Sequence, residues 1–474
     1  MKILYAASEA VPCCKTGGLE DVAVQGEPVI SLIVPKVRNP NVLYRRIREK
    51  FADQLTFLCY DYVDLAWRHT YCGLFSMKKD DVTWYFLDNE QYFDRPELYG
   101  YVDDGERFGF FSRAVVKMLD HLEFWPDVIH CNDWQTALTP VYLNLYYRHL
   151  DKFSRIKTVF TIHNIAYQGK YGLDILEDTC GIGARDAHVV EYDGCANFMK
   201  GAIECADKVT TVSPTYAQEI LDPWFSHGLD GLLRQKQYKL CGILNGIDVD
   251  VFNPATDPDI AKNYDAETFQ EGKAVCKEAL QDEFGLHKDG SPVMAMVTRL
   301  VGHKGVDLVQ AIAEGLLQQG IELVILGSGE AQYENFFNEL CARNPGRVGV
   351  YIGFNAKLAQ QIYAGADIFL MPSRSEPCGL AQMVSCRYGT IPVIRETGGL
   401  KDSIRDSGDG YGNGFTFANY NAHELYEACW RAKEGYWQKD GWPVLVKRAM
   451  ECDFSWSNSA KSYEGLYNET ANLW

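Results

Sequence analysis

The feature that most constrains this chain is an alternation. Short β-branched or apolar runs recur along its length, each followed by Gly, Asn or Ser and then by a segment with apolar residues at helical spacing. A strand followed by a crossover helix, repeated many times, builds parallel sheets, so the expected class is α/β. In the first half the clearest strands are residues 2–8 (KILYAAS), 29–34 (VISLIV), 127–131 (DVIHC), 158–163 (TVFTIH), 208–212 (KVTTV) and 241–244 (CGIL). In the second half they are residues 293–299, 321–326, 348–352, 366–371 and 391–395. Two sheets of five or six strands are implied. The turn Asn245-Gly246-Ile247-Asp248, followed by an Asp-rich polar stretch, marks a boundary where sheet packing stops. It divides the chain into a first domain, 1–246, and a second, 247–454, with residues 455–474 forming a helix that returns to the first. The Tyr- and Phe-rich stretch from Trp84 to Phe111 reads as an insertion. After the first strand and its glycines, the next strand begins near Val29, too soon for a parallel crossover with its helix. Either the topology there is unusual or a piece is absent near Val24-Gln25.

Composition narrows the function. The 474 residues carry 46 Lys plus Arg against 64 Asp plus Glu, a net charge of −18, which excludes grip on a phosphate backbone by basicity alone. No run of about 18 apolar residues appears, and Met1 to Leu4 enter an alternating segment without a basic leader. A soluble, cytoplasmic protein with no membrane or nucleic-acid partner is expected. Fifteen Cys at irregular spacing suggest reduced thiols, and the absence of H-x-x-x-H or H-E-x-x-H spacing argues against a metal site.

In parallel sheets, ligands gather beyond the strand C-termini, so the loops there carry the chemistry. Lys15-Thr16-Gly17-Gly18-Leu19 follows the first strand; its glycines let backbone N–H groups approach a diphosphate, although a flexible turn with a solvated Lys fits equally. Arg299 and Lys304 follow the first strand of the second domain and suit one polyanion. Ser373-Arg374-Ser375-Glu376-Pro377-Cys378-Gly379-Leu380-Ala381 precedes a helix whose first N–H groups, at Gly379, Leu380 and Ala381, would be free for an anion. Glu376 just before them could accept sugar hydroxyls or serve as an N-cap. His163-Asn164-Ile165-Ala166-Tyr167-Gln168-Gly169 and His130-Cys131-Asn132-Asp133-Trp134-Gln135 end strands of the first domain, and Trp134 beside Asp133 suits a polyol as well as a packed loop end.

Together these segments resemble bacterial glycogen synthases and plant starch synthases. The resemblance spans nearly the whole chain and rests on K-T-G-G-L at 15–19, Y-F-D-R-P-E-L-Y-G at 92–100, C-N-D-W-Q-T-A-L at 131–138, H-N-I-A-Y-Q-G at 163–169, L-N-G-I-D at 244–248, R-L-x-x-x-K-G at 299–305 and E-P-C-G-L at 376–380. It implies the GT-B architecture, two Rossmann-like domains facing across a deep interdomain cleft. It also implies a retaining transferase that moves glucose from ADP-glucose to the nonreducing end of an α-1,4-glucan, without cofactor or metal. Catalytic roles would fall to Glu376, His163, Lys304 and Arg299. Lys15, Gly17, Gly18 and Asp21 would meet the nucleotide sugar from the first domain. Asp133, Asn245, Cys378, Gly379, Leu380 and Ala381 would bind the donor, with Phe354 packed on adenine. Departures from the family pattern include Glu20, where a small residue is usual, and Gln135, often His. Two alternatives stay open: a noncatalytic glucan-binding protein of the same fold, and a UDP-glucose-dependent transferase.

Overall fold

The computed structural model describes residues 1–9, 52–79, 82–122 and 125–473, and the backbone of residues 29–36. Two compact units emerge. The first comprises Met1–Val212, Ala217–Ile243 and Trp456–Trp474; the second comprises Ser213–Tyr216 and Leu244–Ser455.

The first unit is built on a nine-stranded sheet. Its strands are β1 (Lys2–Ala6), β2 (Val29–Lys36), β3 (Thr56–Leu65), β4 (Arg68–Lys79), β5 (Val82–Asp88), β6 (Val128–Asn132), β7 (Lys157–Ile162), β11 (Lys208–Thr211) and β12 (Leu240–Gly242). Three short strands, β8 (Lys170–Tyr171), β9 (Glu191–Tyr192) and β10 (Cys195–Asn197), form a separate antiparallel sheet. The main order is β12-β11-β7-β6-β1-β2-β5-β4-β3. Every residue of β6 is buried, as expected for a parallel strand covered on both faces. The chain runs outward from β1 in one direction through β2 and outward from β6 in the other through β7. The strand order therefore reverses between β1 and β6, where open parallel sheets leave a crevice. Against this part of the sheet packs the C-terminal helix, Trp456–Ala471, which buries Tyr463, Leu466 and Tyr467 on Ile3, Val128, Val159 and Ile243.

The sheet is larger than the sequence suggests. β3, β4 and β5 pair antiparallel with one another, and β5 joins β2 in parallel. The stretch from Trp84 to Phe111 is thus no insertion: it supplies most of β5 and, through α1 (Asp104–Lys117), a helix whose aromatic face is buried. β3 and β4 escape a search for apolar runs because much of their surface stays accessible and they carry Asp61, Asp64, Arg68 and His69. β1 and β2 pair in parallel, so residues 7–28 make the crossover. Residues 10–28, including Val24 and Gln25, lie outside the described residues, as do Lys15, Gly17, Gly18 and Asp21.

The second unit holds a six-stranded parallel sheet of β13 (Val293–Val297), β14 (Glu322–Gly327), β15 (Val348–Ile352), β16 (Ile368–Met371), β17 (Ile391–Arg395) and β18 (Phe415–Phe417), in the order β15-β14-β13-β16-β17-β18. Its reversal lies between β13 and β16. The amphipathic helix α2 (Val306–Gln318) follows β13 and buries Val306, Val309, Ile312 and Leu316; the short α3 (Ala381–Arg387) follows β16. The two units, the first on a mixed sheet and the second on a parallel one, make a two-domain α/β fold. Among the described residues no helix is long and apolar enough to cross a membrane.

Candidate functional site

In the first unit the candidates sit at the ends of two hydrogen-bonded strands. Asn132 closes β6, and the β6–β7 register pairs it with Thr161, so the loops that follow leave the sheet side by side. Asp133 comes next, with φ 54° and ψ 179°, a region that essentially only Gly occupies without strain. The geometry is held in place: Asp133 N–H donates to the Thr161 carbonyl at 2.9 Å, and its Oδ1 accepts from the backbone N–H groups of His163 at 2.8 Å and Asn164 at 3.4 Å. Burial pushes the Asp133 carboxyl up to about 7 despite those two bonds, with Glu9 adding in the same direction. His163 lies against Asn132, its Nε2 being 2.9 Å from Asn132 Oδ1, and burial pulls its imidazole down to about 3. The ring is therefore neutral at working pH. Trp134 lines a cavity of about 410 Å³ together with Tyr167, Gln168, Tyr171 and His227.

In the second unit two loops flank the β13/β16 reversal. The loop after β13 tightens into a single 3-10 turn, Gly302–Lys304, and Gly305 follows at φ 77°. A Cβ at Gly305 would lie 2.1 Å from the Pro372 carbonyl oxygen, so only glycine lets the two loops close. Arg374 N–H then donates to the His303 carbonyl at 2.9 Å and ties them together. This approach brings Lys304 Nζ to 2.7 Å from Glu376 Oε2, which also accepts from Ser373 Oγ at 3.0 Å. Glu376 is buried, and it is not the cap of α3: Leu380 holds that position without a side-chain cap bond. Arg299 projects from the same loop, exposed, and its guanidinium has no hydrogen-bond or ion-pair partner among the described residues. Burial, then Lys304 and Arg299, draw the His303 pKa below its ordinary value.

Beyond Glu376 the chain is packed around Cys378, whose thiol burial pushes up to about 12 and towards which the Asn245 backbone N–H points. Asn245 is buried, and its Oδ1 has no partner among the described residues. Gly379, Leu380 and Ala381 keep their backbone N–H groups without hydrogen-bond acceptors among the described residues. Phe354 stands apart, after β15 at the sheet edge, with its residue surface 90% exposed. Thus Lys304 joins Glu376, Asn245 joins Cys378, and Asp133 joins His163. Two supporting residues, Asn132 and Ser373, were not singled out in the sequence although both lie inside the candidate segments; their position at a strand end and three residues before Glu376 was the available signal. Among the described residues no group of three or more His, Cys, Asp or Glu side chains is arranged to hold a metal ion.

A starch synthase catalytic domain model matches residues 2–235, and a glycosyl transferases group 1 model matches residues 278–436. The glycogen synthase of Geobacillus thermodenitrificans (strain NG80-2) is 45% identical over 474 residues, covering 99% of this chain and 98% of that protein. This chain belongs to the glycogen synthase and starch synthase family. A glycogen synthase of Bacillus cereus (strain B4264) is 46% identical over 472 residues, covering 98% of this chain and 99% of its own. Among solved structures, the catalytic domain of starch synthase IV from Arabidopsis thaliana, bound to ADP and acarbose, superposes with a TM-score of 0.87 at 33% identity, covering 99% of each chain. The chain is therefore a glycosyltransferase of glycogen and starch synthesis, a family that requires a nucleotide-sugar donor and a glucan acceptor.

Proposed function

We propose that the protein transfers glucose from ADP-glucose to the nonreducing 4-hydroxyl of an α-1,4-glucan with retention of configuration. The observation that carries this reading is the pair of cations at the β13/β16 reversal, Lys304 held by buried Glu376 and Arg299 without a partner among the described residues. Departure of a nucleoside diphosphate builds negative charge, and preorganised cations lower that barrier without reorganising. Lys304 spends one ammonium proton on Glu376 and keeps others for the leaving group; Arg299 offers its planar fork. The amides of Gly379, Leu380 and Ala381, which have no acceptor among the described residues, suit the phosphate, and Asn245 Oδ1 suits the glucosyl hydroxyls. Neutral His163 and half-buried Asp133 suit the sugar's polar face, and Lys15, Gly17, Gly18 and Asp21 keep the donor role that the family motif gives them.

Adenosine is favoured because the related starch synthase IV is bound to ADP and because the open ring of Phe354 suits stacking on a purine. Retention fits a same-face displacement in which the departing phosphate assists the incoming hydroxyl, so no second carboxylate is needed. Reduced thiols, with thirteen described cysteines unbridged, suit a cytoplasmic place. The test is incorporation of labelled glucose into glycogen from ADP-glucose and, separately, UDP-glucose, with the new linkage typed by digestion with an enzyme specific for α-1,4 bonds. Preference for UDP-glucose would overturn the donor. Release of no nucleotide from either would leave a glucan-binding protein instead.

A further inference from the structure

We infer that Asn132 is a positioning residue, whose side-chain amide locks the His163 imidazole into the tautomer with its proton on Nε2 and leaves Nδ1 as the ring's acceptor. The orientation of the amide follows from its partners. Asn132 Nδ2 is 3.1 Å from the carbonyl oxygen of Ala6, which can only accept, so the nitrogen must face it. Oδ1 is then turned to the other side, where it meets Tyr5 Oη at 2.9 Å and His163 Nε2 at 2.9 Å. An amide oxygen cannot donate. Both approaching groups must therefore bring the proton, Tyr5 its hydroxyl and His163 its Nε2–H.

The surroundings offer the ring no other arrangement. The Asp133 carboxyl spends Oδ1 on the backbone N–H of His163 and not on the imidazole. His130, which faces His163 from β6, is bound on both nitrogens, to Tyr467 Oη and Thr161 Oγ1, each at 2.6 Å, and burial pulls it down to about 3. Tyr5 keeps its proton, since burial raises its pKa well above the ordinary value. Glu9, after β1, acts on Asp133. Nδ1 of His163 has no hydrogen-bond partner among the described residues. Asn132 itself is fully buried, so the lock is part of the sheet rather than of a mobile loop. Its link to turnover rests on the proposed glucosyl transfer; its link to the tautomer does not.

The experiment is NMR of the full chain labelled with ¹⁵N-histidine, the His163 signals being assigned by their loss in His163→Gln. The wild type is expected to show one Nε2–H pattern for His163, unchanged from about pH 5 to 8. In Asn132→Leu the pattern should become tautomer-averaged, and kcat should fall ~10²-fold while the donor KM moves far less, as for a misaligned group at the reacting centre. Asn132→Asp keeps the acceptor and adds a charge: the Nε2–H pattern should persist and the ring's titration should rise by at least ~1 pH unit. An Nδ1–H or averaged pattern in the wild type overturns the inference, as does a folded Asn132→Leu that keeps both pattern and kcat. If Asn132→Leu does not fold, the wild-type pattern and the Asn132→Asp titration decide. Absence of glucosyl transfer alongside an intact Nε2–H pattern would sink the proposed function and leave the role of Asn132 standing.

Discussion

At the scale of single residues, the groups that matter are those whose surroundings oppose them. Lys304 is the most exacting case, since in the proposed transfer its charge would serve the leaving group while it also pairs with buried Glu376. Lys304→Ala should lower kcat by ~10²-fold or more with ADP-glucose, as expected for one preorganised charge lost at the transition state. It should also lower Tm, because a buried carboxylate left unpaired costs about 3 kcal/mol; calorimetry of the variant reads this directly. Asp133 carries strain and a displaced pKa together. Its folded pKa lies above the ordinary carboxyl value, so the folded state holds this proton more tightly than the unfolded chain. That contribution is full below about pH 4 and is lost as pH rises through about 7. Asp133→Asn, which has no proton to lose, should therefore gain stability relative to wild type between pH 5 and 8, by on the order of 2 kcal/mol once solvent access to the half-buried carboxyl is allowed for. Paired melting curves across that range check it, and equal slopes would contradict it.

Elements place these residues. The turn at Gly302–Lys304 owes its position to Gly305, and to Tyr420, whose hydroxyl donates to Asp307 and lies 3.2 Å from the Gly302 carbonyl. Gly305→Ala would need both an unfavourable positive φ and an oxygen moved from 2.1 Å, so a loss of more than about 2 kcal/mol in stability is expected, with kcat falling because Lys304 shifts. Urea unfolding and steady-state kinetics on one preparation would measure both. The C-terminal helix plays the corresponding part in the first unit. Tyr467→Phe removes the partner of His130 Nδ1, a buried bond of 2.6 Å, and should cost about 1–3 kcal/mol. A smaller loss would mean that His130 finds another acceptor or donor. Elements also set what the sequence could reveal. β17 coincides with the run 391–395, since a strand covered on both faces is nearly continuous in apolar residues, and the edge strand β15 coincides with the run 348–352 although Tyr351 is exposed. β3 and β4 did not stand out, because strands with an accessible face interleave Tyr, Asp and His with their apolar side chains.

For the whole molecule, the net charge of −18 and a neutral polysaccharide acceptor lead to one more expectation. Retention of the protein by glycogen in a native gel should hardly change between about 50 and 200 mM salt, whereas a polyanion ligand would lose affinity steeply over that range. A steep salt dependence would point to a charged partner. The sequence by itself determined the α/β class, the family through its motifs, and the strand-end loops that hold the candidate site, because hydrophobic period and short motifs are local properties of the chain. Tertiary structure alone decided that Lys304 meets Glu376 across 72 positions and that His163 leans on Asn132 across 31. It likewise decided that Asp133 is held in a strained conformation. Such contacts depend on which strands lie side by side at each reversal of the sheet order, and no local pattern encodes that adjacency.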